Sequence, residues 1–430
     1  MTLRQMFGPL LVGVLGVTAA LAALGLPPQA SRAAGRPVVY AAVGEDLVRF
    51  DVDVGNATLT RRESTKLHAN IQEAALHPSG DYLYIGTSNG GSSYGAAGAG
   101  PAGAGNDHRL TAFRINRGTG ALEPHGTFAP LPSRPIHLTT DVTGTHVLSA
   151  FNEPSNITVH RIRADGAVGE EVKPQSRLDV GIYGHQVRVT PSNRLAILVT
   201  RGNNPTATRA EDPGALKLFN YRDGVLTNHG AIAPSGGYGF QSRHLDFHPT
   251  RPWMYLTLER QNKIQMYAVG AETIEPAARF TKETLADLRN MRPGQAASTI
   301  HVHPSGRFVY VGNRSTVTTD VQGRAVSAGG ENSIAVFAIN QTTGEPTVIQ
   351  HADTHGFSPR TFALDDGGRV LVAGNQVSMA VRDGERIKTV PAGLAVFRIR
   401  PDGTLEFSRS YQMDVSPTRS LWWMGMAALR

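Results

Sequence analysis

Cysteine is absent from the 430 residues. That excludes disulfides, thiolate nucleophiles and lipid attachment through an N-terminal cysteine. Charge is sparse as well: charged side chains make up 18 % of the chain and the formal net charge is +7. No block of like charges and no basic amphipathic helix occurs, so nothing in the sequence points to nucleic acid. HExxH, an acidic calcium loop, G-x-S-x-G and a dinucleotide fingerprint in a strand–helix setting are all missing. Zincin and serine-hydrolase chemistry lack motif support, and neither a metal nor another cofactor is expected. After Pro37 no apolar stretch is long enough to span a bilayer. The 40 % of apolar residues still suffices to bury a core.

The long apolar run that does occur is N-terminal. Arg4 gives a positive start, Phe7 to Leu26 carries no charge, and Ser31-Arg32-Ala33 places small residues where a signal peptidase reads. Residues 1–33 are therefore expected to be a signal peptide, with export to the periplasm or the exterior. An uncleaved membrane anchor is the alternative, because the run exceeds the usual signal core. The folded domain is expected over 37–430.

That domain is repetitive. LHPSGDYLYIGTS (76–88), DVTGTHVLSAFN (141–152), VTPSNRLAILVTR (189–201), FHPTRPWMYLTLE (247–259), VHPSGRFVYVGNR (302–314) and LDDGGRVLVAGNQ (364–376) each open on a turn and continue as a β-rich run. A second alternating run follows each, among them RLTAFRI, NITVHRI and SIAVFAI. The spacing of roughly 50–65 residues fits a four-stranded blade with loop insertions. A seventh unit is split. PVVYAAVGEDLVRFDVD near the N-terminus lacks a preceding strand, and SPTRSLWWMGMAAL at the C-terminus lacks a following one. The fold predicted is an all-β, seven-bladed β-propeller of four-stranded antiparallel blades, its ring closed by N- and C-terminal strands in one blade. Insertions at 90–107, 202–214, 315–331 and 377–393 fall between the second and third strands of their blades and should crowd one end of the ring.

Each phrase ends on a polar residue: Ser88, Asn152, Arg201, Glu259, Arg314 and Gln376. The preceding strands begin, at one register, with Gln72, Ile136, His185, Arg243, Ser298 and Arg360. In an antiparallel pair these two sets lie at the same end, so repetition around a ring gathers them at one mouth of the central channel. One base, one acid and two cations from three adjacent blades, His185, Glu259, Arg243 and Arg314, are the candidate catalytic group. Arg201, Arg360 and Gln376, with His137, His244 and Asn375 beside them, are the candidate substrate-binding residues. His301 and His303, two apart on a strand, share one face and form a weaker metal-ligand candidate. The recurrence of His-Pro at His77, His248 and His303 favours a turn role for the last.

GHQVRVTP, SRHLDFHP, YLTLER, HPSGRFVYVGNRS with SIAVFAINQTTG, and SPRTFALDDGGRVLVAGNQ together resemble the seven-bladed propeller lactonases, a family that includes bacterial 6-phosphogluconolactonase and the fungal carboxymuconate lactonizing enzyme. The resemblance covers essentially 38–430. A His, an Arg, a Glu and a second Arg are proposed as the site in that family. By motif they fall on His185 in GHQ, Arg243 in SRH, Glu259 in LTLE and Arg314 in GNR. Ser315 departs from the glycine that commonly follows the Asn-Arg pair, and FHPTRPWMY lacks the turn glycine. The resemblance implies a hydrolase opening a small-molecule lactone without a metal. Export favours a non-phosphorylated sugar lactone or another organic-acid lactone over a cytoplasmic phosphosugar. A lactonizing cycloisomerase acting on a carboxylate substrate, and a non-catalytic propeller that binds a ligand or protein, are the competing expectations. His185 or Glu259 is the expected general base.

Overall fold

Turn chemistry followed by β-branched runs becomes hairpins, and the hairpins pair into blades. The computed structural model describes residues 35–91, 103–416 and 418–429. The expected signal segment and most of the Gly/Ala-rich insertion lie outside the described residues. Among the described residues the chain forms eight four-stranded sheets and no α-helix.

Seven of the sheets are blades. Their inner strands, in order from blade one, are Asn70–Leu76, Pro135–Thr140, Gly184–Val189, Ser242–Phe247, Ala296–Val302, Phe357–Leu364 and Leu421–Leu429. Each packs against the inner strands of its two neighbours, with Leu421–Leu429 lying between Phe357–Leu364 and Asn70–Leu76. Blade seven joins the chain ends: Leu421–Leu429 pairs antiparallel with Arg36–Val43, followed by Asp46–Asp53 and Thr58–Lys66. The eighth sheet comes from two of the insertions. Hairpin Thr318–Val321/Arg324–Ser327 of blade five meets hairpin Met379–Asp383/Arg386–Val390 of blade six through a parallel bridge, Val326 to Ala380.

Seven apolar clusters fill the gaps between blades. In Arg36–Val43, Val39, Ala41 and Val43 face blade six, whereas Val38, Tyr40 and Ala42 face blade one. Both faces of such a strand are buried, so it reads as a continuous apolar run rather than an alternation. The outer strand Thr58–Lys66 is largely exposed and carries Arg61, Arg62, Glu63 and Lys66, which discourages edge-to-edge pairing.

Repeated hydrogen bonds tie neighbouring blades. Tyr40, Tyr84, Tyr255 and Tyr310 donate their hydroxyls to the hairpin carbonyls of Gly120, Gly166, Gly344 and Gly403 in the next blade, at 2.6–3.0 Å. Gly403 has φ +87°, and a Cβ there would fall 2.3 Å from the Phe308 ring, so only glycine fits. The His-Pro turns do the same job. The Nε2 atoms of His77, His248 and His303 lie 2.8–2.9 Å from the turn carbonyls of Gly144, Gly306 and Gly368. His303 is thus an inter-blade tie, while His301 turns away toward Asp246 (Nδ1 to Oδ2 3.7 Å).

Candidate active site

Every inner strand carries one residue too many for its partner. Gly184 faces Thr200 and Gln186 faces Val199, so His185 has no opposite number. Gln72, Ile136, Arg360 and Trp422 are skipped in the same way. In blades four and five the extra residue falls within Arg243–His244 and Ser298–Thr299. Such a bulge re-aims side chains and lets two consecutive residues turn to the same side. Blades two, three, four, six and seven each send a doublet into the channel, whereas in blades one and five only the second members, Glu73 and Thr299, line it. The first members Ile136, His185, Arg243, Arg360 and Trp422 line a cavity of about 230 Å³ at the mouth where the inner strands begin. The second members, including Glu73, His137, Gln186, His244 and Trp423, line a cavity of about 390 Å³ toward the other end.

The bulges at His185, Arg243 and Arg360 share a further trait. Two residues before each sits a non-glycine residue in the left-handed region: Tyr183 (φ +59°), Gln241 (φ +46°) and Ser358 (φ +57°). Backbone of this kind costs about 1–3 kcal/mol per residue and persists where the surroundings enforce it. Here it delivers the imidazole and both guanidinium groups into one cavity.

Glu259 is the hub. It follows directly on the second strand of blade four, Trp253–Leu258, and its backbone N–H donates to the Gln241 carbonyl at 2.9 Å. Arg201 Nη1 donates to Glu259 Oε2 at 3.1 Å, Arg314 Nη2 donates to Oε1, and Arg243 Nε lies 3.5 Å from Oε1. Burial alone would raise the Glu259 carboxyl, yet Arg314, Arg201 and Arg243 hold it far below the usual carboxylate range. Arg201 also stacks over Tyr183, its Cζ 4.7 Å from the ring centre.

Arg243 is the most unusual member. It is 0 % exposed, and among the described residues Nε, Nη1 and Nη2 find no hydrogen-bond partner. Burial and the charge of Arg314 both press against its cationic form; a guanidinium nevertheless keeps its proton. A buried cation with idle donors gains strongly from an anion placed before it. His185 is buried beside it, and burial followed by the Arg243 charge pulls the imidazole well below its ordinary pKa. It is neutral at pH 7, and its Nδ1 finds no hydrogen-bond partner among the described residues.

The structure thus brings His185, Arg243, Glu259 and Arg314 together, with Arg201, Arg360 and Gln376 lining the same cavity. Gln376 Oε1 accepts from Ser358 Oγ at 3.2 Å. Three expected substrate-binding residues lie elsewhere. His137 and His244 are second members of their doublets and face the other cavity, 5.7 Å apart between ring centres. Asn375 lines neither cavity; its amide donates at 2.8 Å to the carbonyl of Thr354, in the link between blades five and six. Sequence reasoning missed Arg134 and Trp422, both in the cavity wall. Placing SLWWMGM (420–426) over SPRTFAL (358–364) exposes Trp422 as the counterpart of Arg360 in blade seven. Among the described residues no three His, Asp or Glu side chains converge as metal ligands.

A sequence model of the family described as "Lactonase, 7-bladed beta-propeller" matches residues 37–387. Among curated proteins, the 6-phosphogluconolactonase of Bacillus subtilis is 28 % identical over 298 residues, covering 67 % of this chain and 78 % of its own. That of Serratia proteamaculans is 24 % identical over 319 residues, covering 74 % and 81 %. Among solved structures, a periplasmic gluconolactonase of Pseudomonas aeruginosa superposes with a TM-score of 0.65 at 19 % identity, over 92 % of this chain and 99 % of that one. A protein of Bacteroides uniformis described as a putative 6-phosphogluconolactonase gives 0.66 at 16 % identity, over 92 % and 100 %. These likenesses establish a shared fold.

Proposed function

The chain belongs to the seven-bladed β-propeller lactonase family, and from that premise we propose that it hydrolyses a small-molecule lactone in the cavity built around Glu259. The observation that carries the reading is Arg243, a fully buried guanidinium that ion-pairs with Glu259 at 3.5 Å but makes no side-chain hydrogen bond among the described residues, beside a neutral imidazole. The relatives named as lactonases and gluconolactonases agree with it.

The chemistry divides as follows. A water attacks the lactone carbonyl carbon as His185 accepts its proton. The tetrahedral oxyanion forms against the Arg243 and Arg314 guanidinium groups, which supply donors and charge without reorganising. The ring C–O bond then breaks, and the imidazolium returns the proton to the leaving alkoxide, giving an open-chain hydroxy acid. Glu259 is a poor base, because three arginines stabilise its charged form. Its role is to fix those arginines. The same reading includes export directed by residues 1–33, in keeping with their signal-like pattern, and a catalytic propeller over 37–430 that needs no metal.

The test is a panel of sugar and aliphatic lactones followed by acid release, with and without a chelator. Turnover lost in His185→Ala and Arg243→Ala, with folding kept, supports the assignment. Wild-type rates in both variants, or no lactone opened by the intact protein, would overturn it.

A further inference from the structure

The insertion of blade three, residues 202–214, does not stay with its own blade. It leans on the link that enters blade four, just ahead of Ser242–Phe247. Glu211 Oε1 accepts from the Gly239 backbone N–H at 2.8 Å and from the Gln241 side-chain amide at 3.4 Å. Asn204 Oδ1 accepts from the same amide at 3.0 Å, and the Gly214 N–H donates to the Gly237 carbonyl at 2.9 Å. Within the insertion, Asn203 Nδ2 donates to Asp212 Oδ2 and the Asp212 N–H to the Asn203 carbonyl, both at 3.0 Å. That pairing draws the two arms of the loop together next to Asn204 and Glu211.

Gln241 is the pivot. Left-handed at φ +46°, it stands two residues before Arg243, and its carbonyl accepts the Glu259 N–H. A non-glycine residue leaves that region unless its surroundings hold it. A carboxylate accepting from a backbone N–H is among the stronger hydrogen bonds available for the task. Were Gln241 to relax, the bulge after it would turn, and Arg243 and Glu259 would both move. Blade six repeats the arrangement. Asn332, just past the blade-five insertion, accepts the N–H of left-handed Ser358 at 2.8 Å, two residues before Arg360.

Resting on the lactonase reading, we propose that Glu211, carried by the 202–214 insertion, is a positioning residue for the reaction. It locks Gln241 so that Arg243 and Glu259 face the reacting ester in the right geometry. Glu211 does not line the cavity and touches no reacting atom. It acts through Gln241, across the boundary between blades three and four.

The experiment measures kcat and KM on a lactone that the intact protein opens, together with crystal structures of the wild type and Glu211→Ala. A displacement of about 1 Å can cost on the order of 100-fold in rate. Glu211→Ala should therefore lower kcat about 10–100-fold with a smaller change in KM, because Arg243 counts most in the transition state. Glu211→Gln keeps an acceptor oxygen and should lose less. Adding Gln241→Gly to Glu211→Ala should return part of the rate, since glycine holds a positive φ without help. Arg209→Ala, on the same loop and paired with Asp212 at 3.3 Å, should be neutral. In the Glu211→Ala crystal, Gln241 should leave the left-handed region and Arg243 Nε should lie farther than 3.5 Å from Glu259 Oε1. Wild-type kinetics in Glu211→Ala, or an equal fall in Arg209→Ala, would overturn the positioning role. If the intact protein opens no lactone, the lactonase reading falls and the crystals decide the rest: a shifted Gln241–Arg243 segment keeps the clamp, and an unmoved one sinks it.

Discussion

Arg243 and Glu259 stand at matching ends of one antiparallel hairpin in blade four, with Nε and Oε1 3.5 Å apart. The bulge that frees Arg243 from the ladder is what allows this approach. Glu259 then meets Arg201 from blade three and Arg314 from blade five, so one carboxylate links three blades at the channel mouth.

Glu259→Gln should consequently damage stability as well as activity. It strands two almost fully buried arginines, Arg201 and Arg243, 1 % and 0 % exposed. Breaking a buried ion pair on one side costs about 3–5 kcal/mol, to be read from urea unfolding midpoints. Arg314→Ala should behave differently, because its side chain is 23 % exposed and Glu259 keeps two partners. Loss of an oxyanion donor there should lower kcat/KM on the order of 100–1000-fold with little change in unfolding. Equal stability of Glu259→Gln and wild type would show that the cluster does not brace the blades.

The pH profile follows from His185. Its folded pKa is depressed, so the neutral, proton-accepting form persists below the ordinary value of 6.5. kcat/KM should stay level through neutrality, with its acid limb below pH 6.5. Stability should share the sign: the unfolded imidazole takes up a proton as pH falls through 6.5 and the folded one does not, so this contribution is lost toward acid. An acid limb centred above 6.5 would remove His185 as the base.

Glu73 gives the opposite slope. Burial raises its carboxyl to about 8, so the unfolded state loses this proton first, and stability should fall as pH rises from about 4.5 toward 8. Arg360, Arg243 and the Trp423 indole, which hydrogen-bonds the carboxyl, all favour the ionised form. Glu73→Gln should flatten that part of the profile in thermal melts between pH 5 and 8. An unchanged slope would mean that Glu73 is already ionised in the folded protein.

The blades were legible because turn chemistry and β-rich runs recur in register, and the rim because six units align on their turns. Trp422 was hidden by the split of blade seven, where the C-terminal strand has no downstream partner to align. Arg134 was hidden because it lies before its strand rather than in the repeated register. His137 and His244 were misplaced for a physical reason. A regular strand sends neighbours to opposite faces, but a bulge sends both into the channel, one to each cavity. For Asn375 the alternation held, and its amide turns to the link between blades five and six.

Hydrogen bonds outside the site, one between blades and one within a blade, should separate stability from catalysis. His303→Ala removes the contact to the Gly368 carbonyl and the one to Ser305 Oγ at 2.7 Å. Ser88→Ala removes a bond to His108 Nδ1 at 2.8 Å and one from the Gly90 N–H at 2.9 Å. Each hydrogen bond is worth about 1 kcal/mol, so both variants should unfold at lower denaturant. Lactone kinetics should be unchanged, since neither residue lines the cavity with Glu259. A large fall in kcat in either would mean that the site depends on distant packing more than its geometry suggests.

Ring closure allows the most drastic test, deletion of residues 421–430. The deleted strand is the inner strand of blade seven, and Leu421, Trp423, Met424, Ala427 and Leu429 are buried in it. Burying one Leu or Met side chain is worth about 1.5–3 kcal/mol, so the strand's contribution is comparable to the entire net stability of a typical domain, about 5–15 kcal/mol. Its loss would also bare the Arg36–Val43 edge, whose apolar residues face two blades, and invite intermolecular pairing. The truncated protein should be insoluble, or be cut rapidly by protease within residues 36–66. The Trp422→Phe variant serves as control, because it keeps the strand while altering the cavity wall. A soluble truncation that resists protease and unfolds cooperatively would show that six blades hold the ring without the terminal strand.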